Sequence, residues 1–535
     1  MIGEIYTRGA LARTIGLLLL GFVLALLSVF RPEGASASTR PNFVLIQLDD
    51  FANLHLDGTW VDSTGQVRPN MPLTSEAMLS NGVRFTRYLA PNPICAPSRA
   101  SLLSGQYADN NGVLAVGGAN GGWDAFRNNE IVNRNLAVWL RNGGYRTMQF
   151  GKFMNFYMEP DGYPTRYVPP GWDIWQADGN DESTREYYGY SLNLNGSIGG
   201  PFGAANYGPG TIKDPPGCPE LGVPACNYHT DAVAARAFQA ITATSPDTPF
   251  FAHIGLHTPH GDSRPPIGPE PAARHYDVAE GTPRPTPVGY DEANVSDKPP
   301  WIESLPRINT RQSASIREEY VKSVEALQSV DQAVASLIGT LAVTGRLSNT
   351  YVFLFSDNGF FHGEHRLVRG KRYPYEPAVR VPMLVRGPGI PKGARSAELV
   401  ANQDIAPTVL SLAGLGSRRS FDGRSMAPFW TDPTRTTRRP IMLSAFGDLS
   451  QGTADPLEDE FYRGIRLGPY KYVLHRTGDR ELYDLARDPD ELRNLVKDRR
   501  YRKVKGYMAR QLEEYRDCAG PSCRVWAPKW PRPSS

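Results

Sequence analysis

Pro41-Asn42-Phe43-Val44-Leu45-Ile46-Gln47-Leu48-Asp49-Asp50 sets an almost unbroken apolar run directly before two carboxylates. A run of this length without polar alternation reads as a strand buried on both faces, as in a parallel sheet covered by helices. Sites in open α/β sheets form beyond the carboxyl ends of the strands, where Asp49 and Asp50 stand. Adjacent carboxylates repel each other unless a cation neutralises them. Taken alone, the pair could equally cap a helix.

The same design recurs along the chain. Residues 145–150 read as a strand that delivers Gly151-Lys152, residues 249–255 lead to Leu256-His257-Thr258-Pro259-His260, and residues 350–355 open onto Ser356-Asp357-Asn358-Gly359. Helical periodicity or helix punctuation marks 73–79, 132–141, 228–241, 316–341 and 404–414. Strands alternating with helices predict an α/β fold: a large mixed, mostly parallel sheet flanked by helices. Beyond Gly416 the pattern changes to short strands at 463–474 and 481–485 and a charged helix over 491–515. That predicts a smaller C-terminal α+β subdomain with an antiparallel sheet, giving domains at 38–415 and 416–535. The stretch 261–301 is Pro-rich and reads as an irregular, exposed excursion.

Charge and cysteines narrow the function. The 535 residues carry 58 basic and 55 acidic side chains, a net charge of +3, so neither a nucleic-acid partner nor a strongly acidic one is implied. Arg8 and Arg13 precede an apolar run over 15–30, followed by Ala35-Ser36-Ala37. This reads as a signal peptide over 1–37 that sends the protein out of the cytoplasm, with no stable membrane insertion. Five cysteines are an odd number for an exported chain. Cys218 with Cys226 and Cys518 with Cys523 each flank a short Pro/Gly loop and could close small rings, which leaves Cys95 alone.

Cys95 stands in Pro93-Ile94-Cys95-Ala96-Pro97-Ser98-Arg99-Ala100-Ser101-Leu102-Leu103-Ser104-Gly105. Pro97 suits the first position of a helix and Gly105 its end, so Cys95 falls at or just before a helix N-terminus, a place that favours an anion. Arg99, four residues on, comes back over the same site. Asp49, Asp50, Asp357 and Asn358 make a hard-oxygen set suited to Ca²⁺ or Mg²⁺. His257 and His260 lack a third soft ligand in the sequence, so zinc is not indicated.

Cys95-Ala96-Pro97-Ser98-Arg99 resembles the C-x-P-S-R signature of the formylglycine-dependent sulfatase family, whose fold is alkaline-phosphatase-like. The resemblance extends in order from Asn42 to about Asn494, through Gly151-Lys152, Thr258-Pro259-His260, Asp357-Asn358, Gly363-Glu364-His365 and Lys371. It implies that Cys95 is oxidised to formylglycine by a formylglycine-generating enzyme. It also implies one divalent ion, Ca²⁺ with Mg²⁺ as the alternative, held by Asp49, Asp50, Asp357 and Asn358 beside converted Cys95. Arg99, Lys152, His260 and Lys371 would form the cationic pocket for sulfate. One hydroxyl of the aldehyde hydrate would attack sulfur with Asp357 as base. His260 or Lys371 would protonate the departing alcohol, and the second hydroxyl would collapse to expel sulfate.

Many sulfatases carry a histidine two residues after the Gly-Lys lysine, whereas this chain has Met154, then Asn155. Gly151-Lys152-Phe153-Met154-Asn155 and Tyr167-Val168-Pro169-Pro170-Gly171-Trp172 resemble the N-acetylglucosamine-6-sulfatase-like branch. The implied substrates are sulfated carbohydrates, 6-O-sulfated N-acetylglucosamine in particular, and aryl sulfates. The aromatic residues 163–190 could stack on sugar rings or simply pack an insertion. Two other readings remain open: a phosphodiester or phosphonate hydrolase using the same aldehyde, and a non-catalytic Ca²⁺-dependent sulfoglycan binder if Cys95 stays a thiol. Asn195-Gly196-Ser197 and Asn294-Val295-Ser296 are glycosylation sequons.

Overall fold

The computed structural model describes residues 40–158, 165–179, 187–202, 228–261, 268–418, 420–446 and 460–534. Residues 40–244 and 249–535 fall into one compact unit. The 1–37 signal segment and the Cys218/Cys226 pair lie outside the described residues.

Ten strands build the main sheet: β1 Asn42–Leu48, β2 Val83–Leu89, β3 Arg146–Gly151, β4 Ile174–Asp178, β5 Tyr190–Leu194, β6 Ser197–Phe202, β7 Phe250–Leu256, β8 Thr350–Ser356, β9 Met383–Arg386 and β10 Ala394–Ala401. Their order is β10-β2-β9-β8-β1-β7-β3-β4-β5-β6. The centre, β8-β1-β7-β3-β4, is parallel, while β9 and the β5–β6 hairpin run antiparallel to their neighbours. Every residue of β1, β7 and β8 is buried, as unbroken apolar runs require. One apolar cluster lies on each face of this sheet: Phe43, Leu45, Phe353 and Phe355 belong to one, and Val44, Ile46, Val352 and Leu354 to the other. The period-two alternation of strand side chains thus divides a single run between two cores.

Four helices matter most: α1 Cys95–Ser104, α2 His229–Thr242, α3 Thr310–Val343 and α4 Arg502–Tyr515. The α3 helix is long and apolar enough to span a membrane by composition, but it packs on α2 and its Leu327, Val330, Val334 and Leu337 are buried in the core. A separate antiparallel sheet follows, built from β11 Pro440–Phe446, β12 Glu460–Leu467, β13 Tyr470–His475 and β14 Arg480–Asp484, with α4 packed on it. Cys518 and Cys523 form a disulfide.

Three expected helices are corrected. The one read over 132–141 is a short 3-10 turn, Ile131–Asn133, and then an α-helix, Leu136–Asn142, because the Asn135 side chain caps Ala137 and Val138 and fixes a later start. The helix read from 491 begins at Arg502, after two 3-10 turns capped by Asn494 and Asp498. The helix read over 73–79 divides into an α-turn, Pro72–Thr74, and a π-turn, Ser75–Leu79.

Candidate active site

Parallel register brings the polar strand ends together. Leu48 of β1 pairs with Ser356 of β8, and Asp357 N–H donates to the Leu48 carbonyl at 3.1 Å, so Asp49-Asp50 and Asp357-Asn358 leave the sheet side by side. Next to β1, β7 leads to His257 and His260; next to β7, β3 delivers Lys152, whose N–H bonds Gly255 O at 2.9 Å. Asp50 has a left-handed backbone, φ 60°, a conformation that aspartate adopts more readily than bulkier residues.

Cys95 is the first residue of α1, after an extended Ile94, and the helix ends at Gly105 with φ 71°. Pro97 occupies the third helical position rather than the first. The first turn has no intrahelical acceptor for its N–H groups, so proline is tolerated there too. The Cys95 thiol is buried; it donates to Asp49 Oδ1 at 3.4 Å and receives Lys371 Nζ at 3.0 Å. Burial and then Asp49 push its pKa well up, against Lys371 and Lys152, so the unmodified residue is a neutral thiol.

Permanent cations interleave with the carboxylates. The Arg99 guanidinium contacts Asp357 Oδ2 at 2.7 Å and Asp49 Oδ2 at 3.4 Å, and it donates to the Lys152 carbonyl at 3.1 Å. Lys152 Nζ lies 2.5 Å from Asp49 Oδ2, and Lys371 Nζ 2.5 Å from Asp50 Oδ1. His260 Nε2 is 3.8 Å from Asp50 Oδ2. Burial alone would raise Asp49, but Lys152, His260, Lys371 and Arg99 hold it well below the usual carboxylate range. Asp357 is pushed up to about 6 by burial and by Asp49, in spite of Arg99 and Lys371.

The oxygen set fits a hard divalent cation. Asp49, Asp50 and Asp357 each offer an oxygen within 4.8 Å of the others. Asn358 donates Nδ2 to Asp50 Oδ1 at 2.5 Å, while its own Oδ1 is buried without a hydrogen-bond partner. A buried amide oxygen free of other hydrogen bonds among the described residues, next to three converging carboxylates, suits an oxygen-seeking divalent ion.

All nine residues singled out from the sequence therefore meet at one sheet edge. Sequence reasoning missed their supports. Ser98 Oγ donates to the Asp357 carbonyl at 2.5 Å and receives Asn402 Nδ2. His253, which burial pushes down to about 3, lies between Gln47 Oε1 and Gln149 Oε1, and Gln149 Nε2 reaches the carbonyls of Phe150, Gly151 and Lys152. The period-two place of Gln47 and His253 among apolar neighbours was the available signal. Met154 is buried in the aromatic core with Phe153 and Trp123. His257 turns away from His260 and joins Asp178 and His229.

The sulfatase family model matches residues 41–415, and the C-terminal model of N-sulphoglucosamine sulphohydrolase matches residues 363–518. The arylsulfatase of Volvox carteri is 30% identical, covering 94% of this chain and 78% of its own length. The human N-acetylglucosamine-6-sulfatase is 29% identical, covering 95% of this chain and 89% of its own. A solved structure described as a complex with its substrate D-glucosamine-2-N,6-O-disulfate superposes with a TM-score of 0.69 at 20% identity, covering 91% of this chain and 98% of that one, which shows the shared fold. The match over most of the chain settles the family: this protein belongs to the sulfatases and is a sulfuric ester hydrolase.

Proposed function

We propose that this sulfatase removes sulfate from sulfated sugars, with 6-O-sulfated N-acetylglucosamine units as the preferred class and aryl sulfates as accepted substrates, and that Cys95 works as formylglycine. The observation that carries the reading is Cys95 itself: a buried, neutral thiol between Asp49 and Lys371, at a helix start facing a hard-oxygen metal set. A thiol is a poor partner for such a set, whereas an oxygen function suits it. Formylglycine supplies a hydrated aldehyde, with one oxygen to attack sulfur and a second whose collapse releases sulfate. A divalent ion held by Asp49, Asp50, Asp357 and Asn358 supplies charge neutralisation at the reacting centre.

The remaining roles follow from exposure. The Arg99 side chain is 1% exposed and contacts Asp357, Asp49 and the Lys152 carbonyl, so within the cationic pocket it also holds the carboxylates in position. Lys152 and Lys371, at 5% and 15%, are less enclosed than Arg99 and would meet the sulfate oxygens. His260, at 19%, is more open than Arg99, Lys152 and Lys371, which supports it over Lys371 as the group that would protonate the departing sugar oxygen. Such preorganised charge costs no rearrangement when the ester bond breaks. The glucosamine preference is supported by Lys152-Phe153-Met154-Asn155 and by the relatives named N-acetylglucosamine-6-sulfatase. An extracytoplasmic location is supported by the Cys518–Cys523 disulfide and by the N-terminal apolar run.

Two measurements test this. Sulfate release from a panel of position-defined sulfated monosaccharides, with matched phosphate and phosphonate esters, is expected to be fastest on the 6-O-sulfated glucosamines; faster phosphonate turnover would overturn the substrate class. Mass spectrometry of the Cys95 peptide is expected to show the aldehyde, and Cys95→Ser to lose turnover by about 10³-fold or more. Unimpaired multiple turnover in that variant would sink the formylglycine mechanism.

A further inference from the structure

Beside the sulfate site, on the same sheet edge, three metal-competent side chains converge from three elements. Asp178 is the last residue of β4, His229 the first of α2, and His257 follows β7. His229 Nε2 lies 2.9 Å from Asp178 Oδ1 and His257 Nε2 lies 2.8 Å from Asp178 Oδ2, so each imidazole addresses a different oxygen of one carboxylate. The two rings are 4.7 Å apart at 63°, and one ligand atom from each residue lies within 4.8 Å of the other two. The three side chains are 11%, 0% and 10% exposed.

The charge balance of this cluster is distinctive. Asp178 is held far below the usual carboxylate range although burial opposes it, and the groups that do so are His229 and His257. The three side chains come from three separate elements and form a compact, largely enclosed donor set. Two imidazole nitrogens and one carboxylate oxygen gathered within 4.8 Å of one another match the three-ligand sets that bind zinc and leave a further position open. The oxygen-only set of Asp49, Asp50 and Asp357 has the opposite preference.

We propose that Asp178, His229 and His257 form a second metal site, selective for a borderline divalent ion such as Zn²⁺ and distinct from the hard-ion site. Its consequence is structural and local. The ion ties the ends of β4 and β7 to the start of α2, and the His257 carbonyl accepts the His260 N–H at 2.7 Å, so the bound ion steadies the turn that carries His260. In the structure each Nε2–H donates to an Asp178 oxygen, so metal binding through Nε2 moves each imidazole's proton to Nδ1.

Co²⁺ is the probe, because imidazole coordination gives it visible d–d absorption that an all-oxygen octahedral site does not match in intensity. Metal-stripped full-length protein titrated with Co²⁺ is expected to show these bands saturating at one equivalent, displaced by Zn²⁺ and unaffected by Ca²⁺. Asp178→Asn and His229→Gln, which are close in size to the native residues, should abolish the bands with unchanged far-UV circular dichroism, while Asp357→Asn should keep them. Absence of bands in the native chain, or bands that survive both Asp178→Asn and His229→Gln, would overturn the proposal. Loss of the bands in Asp357→Asn alone would assign the colour to the hard site and overturn it equally.

Discussion

At the residue scale, the site packs like and unlike charges so closely that each cation lies against a particular carboxylate. Lys152 touches Asp49 at 2.5 Å and is nearly buried, so its ammonium is fixed before substrate arrives. Lys152→Met keeps the length and removes the charge; kcat/KM for a sulfated monosaccharide should fall by about 10²–10³-fold, the scale of losing one preorganised donor. Glu319, on α3, carries a different prediction. Burial pushes its carboxyl up to about 7, with Arg369 pulling down and Asp50 pushing up. Its ordinary value is 4.5, so between those values the folded state holds the proton that the unfolded state has lost. Stability from this group is fully present below about pH 4.5 and is lost as pH rises through about 7. Glu319→Gln mimics the protonated form. It should match the native chain in unfolding free energy at pH 4.5 and exceed it by on the order of 2 kcal/mol at pH 8, read from urea titrations. An equal difference at both pH values would refute the titration.

At the element scale, the site depends on how closely strand ends approach. A Cβ on Gly255, in β7, would stand 2.0 Å from the Lys152 carbonyl oxygen, a backbone atom that cannot swing aside. Gly255→Ala should therefore move the end of β3 and lower kcat by about tenfold or more, since small misplacements of catalytic groups carry losses of this order. Steady-state kinetics beside a thermal melt separate this effect from general unfolding. The same geometry explains what was legible beforehand. Largely apolar runs announced β1, β7 and β8, and β1, β3, β7 and β8 each lead to a polar residue that stands at the site. What stayed hidden depends on partners distant in sequence. His257 pairs with Asp178 and His229, which sit on other elements, so its spacing from His260 was misleading. Asn135 starts a helix later than periodicity placed it, and Asn494 caps a 3-10 turn that periodicity alone counted as helix. Gln47 and His253 resembled stray polar residues in apolar strands until the sheet placed them side by side against Gln149.

At the scale of the whole molecule, the two sheets are joined by buried charge. Lys471, on β13, is fully buried and reaches Glu376 Oε1 at 2.9 Å and Glu491 Oε1 at 2.7 Å; Glu376 lies between β8 and β9 and is also 3.4 Å from Arg466. Burial would raise Glu376, yet Lys471, Arg466 and Arg380 hold it well below its usual range, while burial raises Glu491. The carboxylates of two segments are thus neutralised by a strand of the second sheet. Lys471→Met keeps the aliphatic stem and removes the charge. It leaves two buried carboxylates facing each other, at a cost of about 3–5 kcal/mol for breaking such a pair from one side. Because the broken contacts span both sheets, differential scanning calorimetry of the full chain should show a single transition moved to lower temperature. Two separated transitions, with only one displaced, would mean that the antiparallel sheet folds on its own and that the Glu376 contact is incidental to it. A Lys471→Met, Glu376→Gln double variant sharpens the test: removing one carboxylate along with the lysine should recover part of the lost stability, because the repulsion between Glu376 and Glu491 goes with it.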